Sequence, residues 1–158
     1  MAGMAQAQPA LPPLLRTLLD PARSPLGGGR IELMQTHASW VLLAGDFAWK
    51  IKKPVVLSFL DYGTAEKRRA ACAAELRLNR RFAPQLYLEV VDFDGEPAVK
   101  MRRFPEAARL DHVCQRGELR PAHLAALAAT LARFHAAAAV AAADSRFGTP
   151  AAALAPAL

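Results

Sequence analysis

The sequence predicts an α+β fold, an antiparallel sheet with one long helix laid on it, and three observations carry that prediction. Apolar and polar residues alternate from Arg30 onward, Ala44-Gly45-Asp46 and Asp94-Gly95 supply turn chemistry between strand-like runs, and residues 64–82 are rich in strong helix formers.

Residues 1–13, MAGMAQAQPALPP, are Ala/Pro/Gln-rich, and Leu14 to Leu19 can form a short helix that Pro21 prevents from continuing. Residues 1–29 are therefore expected to be a flexible N-terminal segment with a short helix. Gly27 to Gly29 read as a hinge, because they precede a strand rather than joining a strand to a helix as a phosphate-binding loop does. Ile31 and Leu33 alternate with Arg30 and Glu32, which marks a first strand. Trp40 to Leu43 and Phe47 to Lys52 then form a hairpin about Gly45 and Asp46, and Pro54 ends it. Thr64 is a natural cap for a helix running to about Phe82, with Pro84 blocking its extension. Leu86 to Val91 and Ala98 to Met101 bracket DFDGEP as a second hairpin. Pro121 opens a helix reaching about Ala142, along which Leu124, Leu127, Leu131, Phe134 and Ala138 recur at three- and four-residue steps. Such a stripe serves packing, and His135 beside it reads as structural. Residues 144–158 form an Ala/Pro-rich tail.

With 158 residues the chain can bury one ordinary core. Its net charge of +6 and pI near 9.9 suit an anionic partner, whether nucleotide or nucleic acid. Cys72 and Cys114 lie in no CxxC or Cys/His cluster, which argues against a disulfide framework or a zinc site and for reduced thiols in the cytoplasm. Neither a signal-peptide pattern nor an apolar run of about 18 residues is present, so no membrane association is expected.

Phe47-Ala48-Trp49-Lys50 is an apolar strand leading into a lysine. On the following helix, at about 100° per residue, Glu75 falls within the stripe of Ala71, Cys72, Leu78 and Phe82, whereas Arg69, Arg77, Arg80 and Arg81 fall on the other side. An inward carboxylate needs a compensating cation. Lys50 is the first candidate, Lys52 on the same strand face is the reserve, and Arg68 on the helix itself is the local alternative.

Taken together, KIKKPV, EKRRAACAAELRLNRR, APQLYLEVV and AVKMRRFP resemble the small lobe of the aminoglycoside phosphotransferase-like branch of the protein kinase-like superfamily. More narrowly they are similar to a bacterial family in which a kinase-like domain is often followed by a P-loop ATPase domain similar to gluconate kinase. The resemblance covers about Ile31 to Ala137. It implies a kinase-like small lobe over residues 30–104 and the start of a truncated large lobe over residues 105–143. It also implies that ATP is the cofactor, that Lys50 holds its phosphates (with Lys52 as the other candidate), and that Glu75 is the helix partner. Thr36 to Ser39 becomes the loop over the phosphates, and Met101 to Phe104, Arg103 included, the hinge beside the adenine. The partners implied are a nucleotide, a small-molecule hydroxyl acceptor of unknown identity and a downstream P-loop ATPase domain.

Phosphoryl transfer in that superfamily uses an Asp and an Asn in an HxDxxxxN pattern and a second Asp for magnesium. None follows His135, and Asp144 in AAADSRFG lacks both the preceding His and the spaced Asn. No catalytic residue is therefore assigned, magnesium is expected only with the large lobe, and the chain reads as an inactive fragment. Two other functions compete. Twelve of the 20 Lys and Arg residues lie between positions 50 and 103, as in a basic nucleic-acid-binding module, although few aromatics accompany them for base stacking. A non-catalytic, pseudokinase-type interaction domain is the third.

Overall fold

The computed structural model describes residues 10–27, 29–142, 144–145 and 149–154. The expectations for residues 1–9, for Gly28 within the hinge, for residue 143 and for residues 146–148 and 155–158 of the tail lie outside the described residues. The fold is α+β. One sheet of five antiparallel strands is formed by β1 (Glu32–Gln35), β2 (Ser39–Ala44), β3 (Phe47–Lys52), β6 (Tyr87–Phe93) and β7 (Glu96–Arg102), in the order β1-β2-β3-β7-β6. A small second hairpin, β4 (Val56–Leu57) with β5 (Leu60–Asp61), precedes the long helix α2 (Ala65–Asn79). The remaining helices are α1 (Pro13–Leu19), α3 (Leu110–Gln115), α4 (Pro121–Ala136) and α5 (Pro150–Leu154).

The two hairpins expected from the sequence, β2–β3 and β6–β7, turn where the sequence places them. Ala44 pairs with Phe47 around Gly45, whose φ of +52° costs a residue without a Cβ little. Phe93 pairs with Glu96 around Asp94 and Gly95, both at positive φ, with the Asp92 carboxylate accepting the Gly95 N–H at 2.6 Å. Thr64 caps α2, its hydroxyl accepting the Lys67 N–H at 3.3 Å. The helix ends at Asn79, one turn before the expected Phe82, and residues 80–82 continue as a turn. Likewise α4 ends at Ala136, short of Ala142.

Strand alternation gives the sheet two different faces. Phe47, Trp49 and Ile51 of β3 point to one side with Leu42 and Ala44 of β2 and Ala98 of β7, and there they meet Leu15 and Leu18 of α1. Both leucines are 1% exposed. The short helix therefore completes the main core. It lies where the sequence places it and lays four leucines on the apolar sheet face, against which Leu11 and Leu26 on either side of it also pack.

The opposite face carries Val41, Leu43, Ala48, Lys50, Lys52, Val99 and Met101. Helix α2 covers the β7–β6 end of this face and leaves the β1–β2 end open. Three side chains hold the helix there. The guanidinium of Arg68 forks onto the Glu96 carboxylate at 2.6 Å through two nitrogens and also donates to the Tyr62 carbonyl at 2.9 Å. Arg69 pairs with Asp92 at 2.6 Å, and buried Cys72 lies against the Pro97 carbonyl. Arg68 is thus spoken for by Glu96 across the hairpin turn, which overturns its local pairing with Glu75.

Along α4, Leu124, Leu127 and Leu131 are exposed, so the stripe expected to pack inward is covered only toward its C-terminal end, at half-buried Phe134. Phe134 contacts the ring of Phe82, 4.1 Å between centroids, and Arg81 lies 4.3 Å over the Phe134 ring.

Because Leu18 joins α1 to the central strands, Leu18→Ala is expected to lower unfolding free energy by about 2–5 kcal/mol. Urea denaturation followed by tryptophan fluorescence checks this through Trp49; a loss below about 0.5 kcal/mol, the level of a surface substitution, would detach α1 from the core.

Candidate functional site

Where α2 meets the open face of the sheet, Glu75 projects between two lysines of β3. Its Oε1 accepts from Lys50 Nζ at 2.9 Å and its Oε2 from Lys52 Nζ at 2.7 Å. Both contacts follow from period: Lys50 and Lys52 are two residues apart on a strand and share a face, while Glu75 sits one turn from buried Cys72 on the inner side of the helix. The first candidate and the reserve are therefore both partners of one carboxylate.

The three side chains differ in solvent access. Lys52 is 3% exposed and Glu75 13%, against 31% for Lys50. The Lys52 ammonium also lies 5.0 Å from the centroid of the Tyr62 ring. Burial acts most strongly against the charge on Lys52, but the hydrogen bond and charge of Glu75 outweigh it and hold the ammonium above the ordinary lysine range. Burial likewise opposes ionisation of Glu75, and the bonds from Lys52 and Lys50 overcome this and hold its carboxyl below the ordinary carboxylate range. Around the cluster, burial pushes the Cys72 thiol and the Tyr87 hydroxyl upward.

Next to Lys50 on the same face opens an apolar cleft of about 370 Å³, within the size range of small-molecule sites. Met34, Val41, Leu43, Ala48, Tyr87 and Met101 form its floor and walls. Register sets Lys50 beside it: Val41 is the direct cross-strand neighbour of Lys50, and Ala48 lies one step back along β3. Phe104, Glu106, Arg103 and Arg109 form the rim.

Of the other residues singled out by sequence, Met101 lines the cleft, and Arg103 lines it while donating to the Glu32 carboxylate at 3.2 Å. Ser39 does not reach it. It is buried at the foot of a tight turn in which its carbonyl accepts the Thr36 N–H at 2.9 Å and its own N–H donates to the Thr36 hydroxyl at 3.0 Å. Lys53 seals this turn, donating to the Thr36 carbonyl at 2.7 Å. Val41, Leu43 and Ala48 were not singled out; their signal was the same alternation that exposed Lys50, read one row further along the strands.

Much of the basic character of residues 50–103 is already paired. Lys67 pairs with Asp61, Arg68 with Glu96, Arg69 with Asp92, Lys100 with Glu89 and Arg103 with Glu32, while Arg80 donates to the carbonyls of Tyr87 and Leu88. Among the described residues, no group of three or more His, Cys, Asp or Glu side chains is arranged to hold a metal ion, and no helix is long and apolar enough to cross a membrane.

No protein-family model and no solved structure matches the chain. An uncharacterized protein of Mycobacterium tuberculosis (strain ATCC 25618 / H37Rv) is 43% identical over 111 residues, covering 66% of this chain and 22% of that protein. Uncharacterized proteins of Mycobacterium bovis (strain ATCC BAA-935 / AF2122/97) and of Mycobacterium tuberculosis (strain CDC 1551 / Oshkosh) match with the same identity and coverage. The chain thus spans about 22% of the length of the curated relatives it matches.

The shifted groups define a pH window. Glu75, with its carboxyl held low, contributes stability that is lost as pH falls through its folded value, below the usual carboxylate pKa of about 4. Lys52, held high, contributes stability that is lost as pH rises through its folded value, above 10.5. Glu75→Ala, which leaves buried Lys52 without its counter-ion, is expected to cost about 3–5 kcal/mol at neutral pH. Lys50→Ala, at a partly exposed position, is expected to cost about 1 kcal/mol or less. Chemical denaturation of both variants at pH 7 checks the order; equal losses would mean that Lys52 does not depend on Glu75.

Proposed function

We propose that this chain is the nucleotide-holding small lobe of a kinase-like phosphotransferase. In this reading the phosphates of ATP meet Lys50, which Glu75 steadies, and the adenine lies in the cleft between Ala48, Val41 and Met101. The observation that carries the reading is the Lys50–Glu75 contact of 2.9 Å at the edge of an apolar cleft on the same sheet face. A planar, largely apolar base and a polyanionic tail need these two surfaces side by side. The five-stranded antiparallel sheet with one crossing helix agrees with such a lobe, and so does the strand-to-helix pairing named by the sequence resemblance.

Exposure favours Lys50 over Lys52 in this reading. Lys50 does not itself line the cleft, but it is the more exposed lysine and the cross-strand neighbour of Val41, which does, whereas Lys52 is enclosed by Glu75, Tyr62 and the sheet. The proposal therefore gives the phosphates to Lys50. The rim can close on the adenine edge through the backbone of Met101 to Phe104, with Arg103 beyond it. Transfer to a small-molecule hydroxyl, and the magnesium it uses, would fall to an HxDxxxxN segment and a metal-binding Asp, which the 158 residues do not contain. A kinase-like domain joined to a P-loop ATPase domain fits the greater length of the mycobacterial relatives. The carboxylate partners of Arg68 and Arg69 speak against the nucleic-acid reading, which stands as the alternative.

A fluorescent ATP analogue titrated into the purified chain tests the proposal. Lys50→Ala is expected to weaken binding about tenfold, the effect of one charge-assisted hydrogen bond. Ala48→Leu, which narrows the cleft floor, is expected to weaken the nucleotide but not inorganic tripolyphosphate. Absence of binding to the parent chain, or equal binding by Lys50→Ala, would overturn the reading.

A further inference from the structure

One carboxylate serves two ammonium groups in this protein, and the two bonds are not equivalent. Glu75 accepts from Lys52 at 2.7 Å and from Lys50 at 2.9 Å. Lys52 is 3% exposed, sits over the Tyr62 ring and faces the helix; Lys50 is 31% exposed and stands beside Val41 in the cleft wall. Separating Lys52 from Glu75 would strand a buried charge, which is strongly unfavourable, whereas Lys50 can exchange its carboxylate oxygen for water or another anion at far lower cost. Two lysines against one glutamate also leave the cluster with one surplus positive charge.

We infer that Lys52 is a positioning residue that neutralises Glu75 from the buried side, so that Lys50 stays oriented by Glu75 yet free to give its charge to a phosphate group at the mouth of the cleft. A single lysine facing a single glutamate forms a neutral pair, which attracts an anion only as a dipole does, more weakly than a net charge would. The second lysine converts the same pair into a cationic site. The choice of a nucleotide phosphate as the anion rests on the function proposed above; the division of labour between the lysines does not.

Limited acetylation of the full chain with acetic anhydride, with rates assigned to Lys50, Lys52 and Lys53 by peptide fragmentation, tests that division without any ligand. Lys50 is expected to react about tenfold faster than Lys52 in the parent. In Lys52→Met both carboxylate oxygens turn to Lys50, whose labelling is expected to slow severalfold; Lys52→Arg keeps the parent rate, and the double variant Lys52→Met/Glu75→Gln restores it. Equal labelling of Lys50 and Lys52 in the parent, or an unchanged Lys50 rate in Lys52→Met, would overturn the inference.

The same variants titrated with the fluorescent ATP analogue separate this inference from the functional reading. Lys52→Met is expected to bind about tenfold more weakly and the double variant to recover, since Glu75→Gln removes the charge that Lys52 was offsetting. If the labelling pattern holds but the parent binds no nucleotide, the functional reading fails and the positioning role stands. If the parent binds and Lys52→Met binds equally well, the positioning role fails.

Discussion

Glu75 is the constraint to which the cleft face of the sheet answers. A carboxylate at 13% exposure is tolerable only while a cation stays within hydrogen-bonding distance, and the same holds for Lys52. Each therefore fixes the other, and through them the distance between α2 and β3. Lys50 is then held at the border between the helix-covered part of the sheet and its open part. A shift of α2 by one residue would swing Glu75 about 100° away and leave two lysines facing apolar surface.

The rest of the molecule reinforces that placement from two directions. Arg68 and Arg69 tie α2 to the β6–β7 hairpin through Glu96 and Asp92, so the helix is anchored by charge near its start as well as by Glu75 near its end. On the far side of the sheet, α1 seals Trp49 and Ile51, the residues that alternate with Lys50 and Lys52. Strand β3 is thereby gripped on its apolar face, which leaves its lysine face to be set by α2. The open cleft is what remains of the lysine face after the helix has covered its share.

The central features were legible because they rest on short-range period. Alternation put Lys50 and Lys52 on one side of β3, and the helical repeat put Glu75 on the side of Cys72. The partnership of Arg68 was not legible, because Glu96 lies 28 residues away and approaches only through the fold of the second hairpin. Leu78 and Phe82 share the stripe of Glu75, yet both are substantially exposed; Phe82 lies past the end of α2 at Asn79 and meets the ring of Phe134 instead of the sheet. The β4–β5 hairpin escaped notice because two-residue strands carry no alternation to detect. The docking of α1 had a signal, leucines at positions 11, 14, 15, 18 and 19, which its proline-rich surroundings obscured. For the candidate site, the charged residues stood out because charge on an apolar face is anomalous. The cleft residues did not, because Val41, Leu43 and Ala48 look like any other strand positions until the helix is seen to leave them uncovered.

The central claim is that Glu75 keeps Lys52 permanently and lends Lys50 to an anion in the cleft. Nuclear magnetic resonance of the lysine Nζ groups during an ATP titration tests it most directly. The account predicts that the Lys50 ammonium signal shifts as nucleotide is added while the Lys52 signal stays in place. A shift of Lys52 with Lys50 unmoved, or no shift of either, would contradict it.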